Sequence, residues 1–296
     1  MPSVYIILLN YNGYKDTIEC LQSLRHLEYP NYHVVICDND SLDDSEKHIL
    51  DWLKECPNEP FHFIQTGANL GFAGGNNVGI RYSIKKGADY IWLLNNDTVV
   101  EPDALTHMVN KMETNKKIGI CGSKLCSYYD RSQVVGLGGW CHPLTGSAGH
   151  IIKENELGKL AYIIGASMLF RREVFENIGL LQDDYFLYYE ELDIAERIRE
   201  KYIMDVSLDS VVYHKEGASI GNGSAFSSFY LLKNNLKYTW RFHRIYFPVV
   251  FMRLTLQMFH PFHKRPYNRL NMFMKVTKSF IKEITSKRFS QNPTLL

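Results

Sequence analysis

Three apolar runs in the first hundred residues stop at groups that can bind ligands. Leu9 is followed by Asn10-Tyr11-Asn12, Cys37 by Asp38-Asn39-Asp40-Ser41, and Leu94 by Asn95-Asn96-Asp97. Carboxylate and carboxamide oxygens at such points can hold hard cations or accept N–H donors. Further along, Glu190-Glu191 open a stretch of helical spacing, and His214 closes the run Val211-Val212-Tyr213. Gly71, Gly74 and Gly75 precede Asn76-Asn77, and the lack of side chains there would let backbone approach a ligand closely. Each feature also has an ordinary structural reading. An Asp-Asn-Asp-Ser turn bonds its own backbone, paired acids suit a helix N-terminus, and glycine-rich turns precede many helix caps. With eleven histidines in the chain, one at a strand end is by default structural. Core packing, however, does not require three successive strands to end in oxygen-rich clusters.

The elements that must position these groups are legible from periodicity. Residues 4–9 and 34–37 are continuous and apolar, while 14–27 between them carry Ile18, Leu21 and Leu24 at helical spacing. A strand over 61–65, a helix over 76–86 and a strand over 90–94 repeat the pattern. Strands buried on both faces and alternating with helices predict an α/β domain with a mostly parallel, Rossmann-like sheet flanked by helices. In such sheets the ligand crevice lies beyond the carboxyl ends of the strands, where all three clusters fall. Glycine-rich residues 122–165 predict loops and short strands. A buried strand over 162–171, a helix over 192–202 and a strand over 206–214 follow, with Asp193 and Arg197 spaced to form an (i, i+4) orienting pair. From Phe226 onward helical, aromatic and basic residues dominate.

Five segments, in this order and spacing, resemble the family-two glycosyltransferases of the GT-A fold, in particular their bacterial rhamnosyltransferase-like branch. They are Ile7-Leu8-Leu9-Asn10-Tyr11-Asn12-Gly13, Val35-Ile36-Cys37-Asp38-Asn39-Asp40-Ser41 with Asp43, Asn69-Leu70-Gly71-Phe72-Ala73-Gly74-Gly75-Asn76-Asn77-Val78-Gly79, Leu93-Leu94-Asn95-Asn96-Asp97-Thr98, and Phe186-Leu187-Tyr188-Tyr189-Glu190-Glu191-Leu192-Asp193 with Tyr213-His214 downstream. The resemblance covers roughly three-quarters of the chain and implies a metal-dependent, inverting transfer of a sugar from a nucleotide diphosphate to an acceptor hydroxyl. It implies donor contacts from Asn10, Tyr11, Asp38, Asn69, Gly71, Gly74, Asn76 and Asn96, with Asp38 accepting the imide N–H of uracil or thymine. Asp97 and His214 would hold Mn2+ or Mg2+ against the diphosphate. Glu191, paired with Glu190, would take the acceptor proton. Tyr189, Asp193, Arg197 and Trp140 are expected to contact the acceptor or orient the site. Three positions depart from the family pattern: Asn95 replaces the first acid of Asp-x-Asp, Glu191 stands where aspartate is usual, and Lys201 replaces a helix-ending glycine.

This reading divides the chain into a GT-A domain over 1–225, with a nucleotide-sugar half to 120 and an acceptor half beyond, and a basic amphipathic helical tail over 226–296. Residues 237–296 contain twelve Lys and Arg against the single acid Glu283, a net +11, which leaves −10 on the rest. An acidic body with a basic tail bearing Trp240, Phe242, Tyr246, Phe247 and Phe251 suggests peripheral attachment to an anionic membrane. The alternative is packing of these aromatics on the body or in a homodimer through the C-terminal helices. Residues 245–259 are too short for a membrane span and contain Pro248 and Arg253. Six scattered cysteines, without a secretory leader, read as cytosolic thiols, so a cytoplasmic protein on the inner face of the plasma membrane is expected. The expected partners are a nucleotide-sugar donor and a glycan or lipid-linked acceptor, in cell-surface polysaccharide synthesis, and no nucleic acid. Thymidine-diphosphate L-rhamnose is the first donor expected and a UDP-sugar the second. Two rival functions stay open: a catalytically silent nucleotide-sugar binder or assembly subunit, and a nucleotidyltransferase. The latter would want a phosphate-clamping Lys or Arg in the first turn, and Asn10 to Gly13 has none.

Overall fold

The computed structural model describes residues 1–215, 224–259 and 268–285. The alternation written into the first strand organises the molecule. In β1 (Val4–Asn10), Val4, Ile6 and Leu8 face one apolar cluster, and Tyr5 and Ile7 face another. The chain then runs α1 (Tyr14–Leu24), β2 (Tyr32–Asp38), α2 (Ser45–Lys54), β3 (Phe61–Gln65), α3 (Gly71–Lys85), β4 (Tyr90–Asn95), β5 (Thr98–Val100) and α4 (Ala104–Thr114). It continues through β6 (Ile118–Ser127), β7 (Val134–Gly136), β8 (Gly139–His142), β9 (Ser147–His150), β10 (Ser167–Arg171), α5 (Arg172–Ile178), α6 (Glu190–Ile198) and β11 (Ile203–His214). Helices α7 (Ala225–Phe242), α8 (Phe247–Phe259) and α9 (Arg269–Ile284) form the tail.

Among the described residues nine strands form one sheet in the order β3-β2-β1-β4-β10-β6-β11-β5, with β7 on β6. Strands β1 to β4, β6 and β11 point one way, while β10 runs antiparallel between β4 and β6 and reverses the direction locally. Helices α1 and α4 contribute to the cluster on one face of the sheet, and α3, α5 and α6 to the cluster on the other. Because β10 is antiparallel, its entry (Ile163 to Ala166) lies at the carboxyl end of β4, where Asn95 N donates to Ala166 O. This brings a later part of the chain to the edge where β1, β2 and β4 end.

Two expectations are corrected. Helix α3 begins at Gly71 rather than Asn76, so the glycines lie inside the helix. A methyl at Gly75 would sit 2.4 Å from Leu9 Cδ1 and one at Gly79 2.7 Å from Ile7 Cγ2, so these positions seat α3 directly on the sheet. Strand β10 starts at Ser167, not 162, because Tyr162 bridges Gly139 beside the small β8-β9 hairpin instead. All six cysteines are free thiols, and no helix of the described residues is long and apolar enough to cross a membrane.

Candidate active site

The three strand-end clusters meet in one hydrogen-bonded network. Asn10 is fully buried: its Nδ2 donates to Asp38 Oδ2 (2.7 Å) and Ser41 Oγ (3.1 Å), and its Oδ1 accepts from Thr17 Oγ1 (2.8 Å). Asn96 Nδ2 donates to the same Thr17 hydroxyl at 2.9 Å, joining β4 to α1 and β1. Asp38 is also fully buried and accepts four bonds, from Asn10, from Ser41 N (2.9 Å) and Oγ (2.8 Å), and from Gln65 Nε2 (3.0 Å). A carboxylate offers about four acceptor positions, so a nucleobase could reach Asp38 only by displacing one of these donors. Asn10, read from the sequence as a donor contact, is spent entirely on this internal network. Asn76 is likewise 2% exposed and bonds back to Phe72 O (2.9 Å) within α3, and Gly74 lies against Leu70. Tyr11 and Asn69 remain at the surface, the latter capping Gly71 N at 3.1 Å.

Asp97 and His214 do come together. His214 Nε2 lies 3.2 Å from Asp97 Oδ1, outside hydrogen-bond geometry, and that buried oxygen has no donor. Lys215, the next residue, donates its backbone N–H to Asp97 O (3.0 Å), and its Nζ bonds Asp16 (2.6 Å), fixing the end of β11 to α1. Among the described residues no three His, Cys, Asp or Glu side chains gather closely enough to hold a metal ion. An orphaned carboxylate oxygen beside an imidazole nevertheless fits a divalent ion that takes its other ligands from phosphate oxygens and water.

Glu190 and Glu191 open α6 after a loop in unusual conformations. Phe186, Tyr188 and Tyr189 have φ of 66°, 65° and 80°, in the left-handed region that L side chains enter at a cost of order 1–3 kcal/mol each. The loop is held from two sides. Phe72 N donates to Phe186 O (2.7 Å) at the start of α3, where a Cβ on Gly71 would meet that carbonyl at 2.3 Å. From the tail, the fully buried Asn234 places Nδ2 2.9, 2.7 and 3.0 Å from the carbonyls of Tyr185, Leu187 and Tyr188. Burial, and then the charge of Glu191, push the Glu190 carboxyl far up, and its Oε2 has no partner. Burial raises Glu191 only to about 7. Glu190 is pushed further than Glu191, which faces the cleft, so the adjacent acids titrate as a pair above the ordinary carboxylate range.

Glu191 lines a cleft of about 600 Å³ between the body and the tail, together with Gly146, Tyr162, Tyr189, Asn235 and Arg253. Asp193 is fully buried and pairs with Arg197 Nε (2.6 Å) and Arg241 Nη1 (3.1 Å), so it braces α6 from both sides. Trp140 lies on β8 over Gly149 of β9, 36% exposed, and does not line the cleft. Asp97 and His214 are in contact, and Asp38 is linked to the residue before Asp97 through Asn10, Thr17 and Asn96, whereas none of these side chains lines the cleft that holds Glu191. Sequence reasoning missed Asn234, Asn235, Arg241 and Arg253. A usable signal was the Lys233-Asn234-Asn235-Leu236-Lys237 run, since asparagine pairs are poor choices for a helix interior unless their amides are used.

A profile of the family described as Glycosyl transferase family 2 matches residues 5–179. The chain is 27% identical over 214 residues to the "Low-salt glycan biosynthesis hexosyltransferase Agl10" of Haloferax volcanii, covering 69% of this chain and 64% of that protein. It is 24% identical over 202 residues to the "dTDP-rhamnosyl transferase RfbF" of Shigella flexneri, covering 64% and 61%. The matches thus span a little under two thirds of these relatives. Among solved structures, a mannosyltransferase from Pyrobaculum calidifontis, in complex with GDP-Man and Mn2+, superposes with a TM-score of 0.61 at 16% identity, covering 98% of this chain and 77% of that one. GalNAc-T7 with UDP, GalNAc and Mn2+ gives a TM-score of 0.69 at 14% identity, covering 95% and 55%. At such identities the likeness establishes the fold, which is GT-A.

Proposed function

The chain belongs to glycosyl transferase family 2, and on that premise we propose that it transfers a sugar from a nucleotide diphosphate to an acceptor hydroxyl with inversion at the anomeric carbon. The observation that carries this reading is Glu191, a carboxyl lining a 600 Å³ cleft and held at about 7. In its ionised form it takes the acceptor hydroxyl proton while that oxygen attacks the anomeric carbon and the bond to the diphosphate breaks. The proton ends on Glu191, and the diphosphate leaves with the electron pair. Asp97 and His214 would hold Mn2+ or Mg2+, which when bound neutralises charge on the leaving diphosphate. At the base end, a uracil or thymine imide would replace the exposed Gln65 as a donor to Asp38 Oδ1. Thymidine-diphosphate rhamnose is the first donor to test, supported by the likeness to the Shigella relative, with UDP-sugars next. The acceptor is proposed to be a glycan or lipid-linked saccharide of a cell-surface polymer.

The test combines donor binding with turnover. A panel of sugar nucleotides is screened by thermal shift with and without Mn2+, and the best donor is then assayed with Glu191→Gln. We expect a stabilising donor, a turnover loss of about 10²–10⁴-fold in the variant, and unchanged donor binding. Near-normal turnover by Glu191→Gln, or no nucleotide sugar that binds, would contradict the proposal.

A further inference from the structure

The cations of α7 are each met by an acid: Lys233 by Glu283, Lys237 by Asp184 and Arg241 by Asp193. Arg253 of α8 is different. Among the described residues no carboxylate lies within ion-pair distance of it. Its Nη1 bonds Gln257 Oε1 (3.2 Å), its Nη2 makes a long contact with Gly146 O (3.4 Å), and its Nε is buried without a partner. A guanidinium is always charged in proteins and is shaped to grip carboxylate or phosphate with two parallel N–H bonds. The Nε–Nη2 edge is therefore a fork with one tine unused and the other weakly engaged, on a residue that lines the cleft holding Glu191.

The rest of the cleft fits a saccharide with an apolar side. Ser228 and Asn235 bring polar groups from α7, whereas Leu231, Leu254 and Met258 present an apolar wall from α7 and α8. Its volume of about 600 Å³ falls within the range of small-molecule sites. We propose that this cleft between body and tail is the acceptor site, and that Arg253 reads an anionic group, phosphate or carboxylate, on the acceptor saccharide. The proposal rests on Glu191 being the base, and it transfers half of the acceptor site to the tail.

The experiment measures binding, not turnover. Titrations of the full chain with N-acetylglucosamine 1-phosphate and glucuronic acid are compared with neutral N-acetylglucosamine and methyl glucoside. UDP or dTDP is present with Mn2+ to occupy the donor site. Wild type should bind at least one anionic sugar tenfold or more tighter than the neutral ones, and whether the phosphate or the carboxylate is preferred identifies the group. Arg253→Gln should abolish the preference, Arg253→Lys should keep part of it, and nucleotide binding and melting temperature should be unchanged in both. Equal affinity of wild type for charged and neutral sugars, or a preference that survives in Arg253→Gln, overturns the proposal. Failure of wild type to bind any nucleotide defeats the transferase reading instead, while the sugar titrations still decide the role of Arg253.

Discussion

At the scale of single residues, adjacent acids divide their work by environment. Glu190 is buried with an unpartnered oxygen and Glu191 faces the cleft, so burial raises both carboxyls and raises Glu190 further. The sequence offers the pair but not this asymmetry, which depends on the loop and tail above it. Asp38 shows the converse: its place after a strand was legible, but the four donors that saturate it come from segments up to 28 residues away. Asp38→Asn would turn an amide NH2 toward Asn10 Nδ2 on one side or Ser41 N and Gln65 Nε2 on the other, nitrogens that can only donate. It should lower stability by about 2 kcal/mol in thermal or chemical denaturation, the usual cost of leaving buried donors unpaired. A variant as stable as wild type would mean the network contributes little.

At the scale of elements, the parallel half of the sheet was readable because each strand is short, apolar and bounded by polar residues. Helix α3 was misplaced by five residues because its start is rich in glycine, which propensity counts against a helix; the close approach of Gly71 to Phe186, of Gly74 to Leu70 and of Gly75 to Leu9 explains them. Helix α7 was legible as a helix, but its inward polar face was not, since no local pattern says which backbone carbonyls an asparagine will meet. Asn234 holds a loop containing three left-handed residues immediately before Glu190. Asn234→Ala should therefore destabilise the protein by about 2–3 kcal/mol and lower kcat at least tenfold, with donor affinity retained. A purely structural asparagine would lower stability but leave the kcat and pH profile of the folded fraction untouched, which steady-state kinetics normalised to folded protein would reveal.

At the scale of the whole molecule, the tail's charge asymmetry was visible in composition, but the fate of its aromatics was not. Trp240, Phe247 and Phe251 interlock with Phe273 and Phe280 inside the tail, and Phe242 packs on Tyr238. The exposed apolar stripe is instead Val249, Met252, Leu256 and Phe259 on α8, three or four residues apart, while α9, which packs against α8, exposes Lys275, Lys278 and Lys282. A helix apolar on its outer face beside cations is suited to an anionic lipid surface, so we expect the protein to sediment with anionic vesicles at low salt. Met252→Glu combined with Leu256→Glu should release it; no sedimentation, with a dimer by light scattering, would assign the face to a second copy of the chain. The body and tail meet at the cleft, where Glu191 is proposed to take the acceptor's proton. The most direct measurement is kcat against pH at saturating donor and acceptor. Because ionised Glu191 is the active form, kcat should rise about tenfold per pH unit below the transition and level off above an apparent pKa near 7. A profile that is flat from about pH 5.5 to 8, or that falls through that range, would contradict the account.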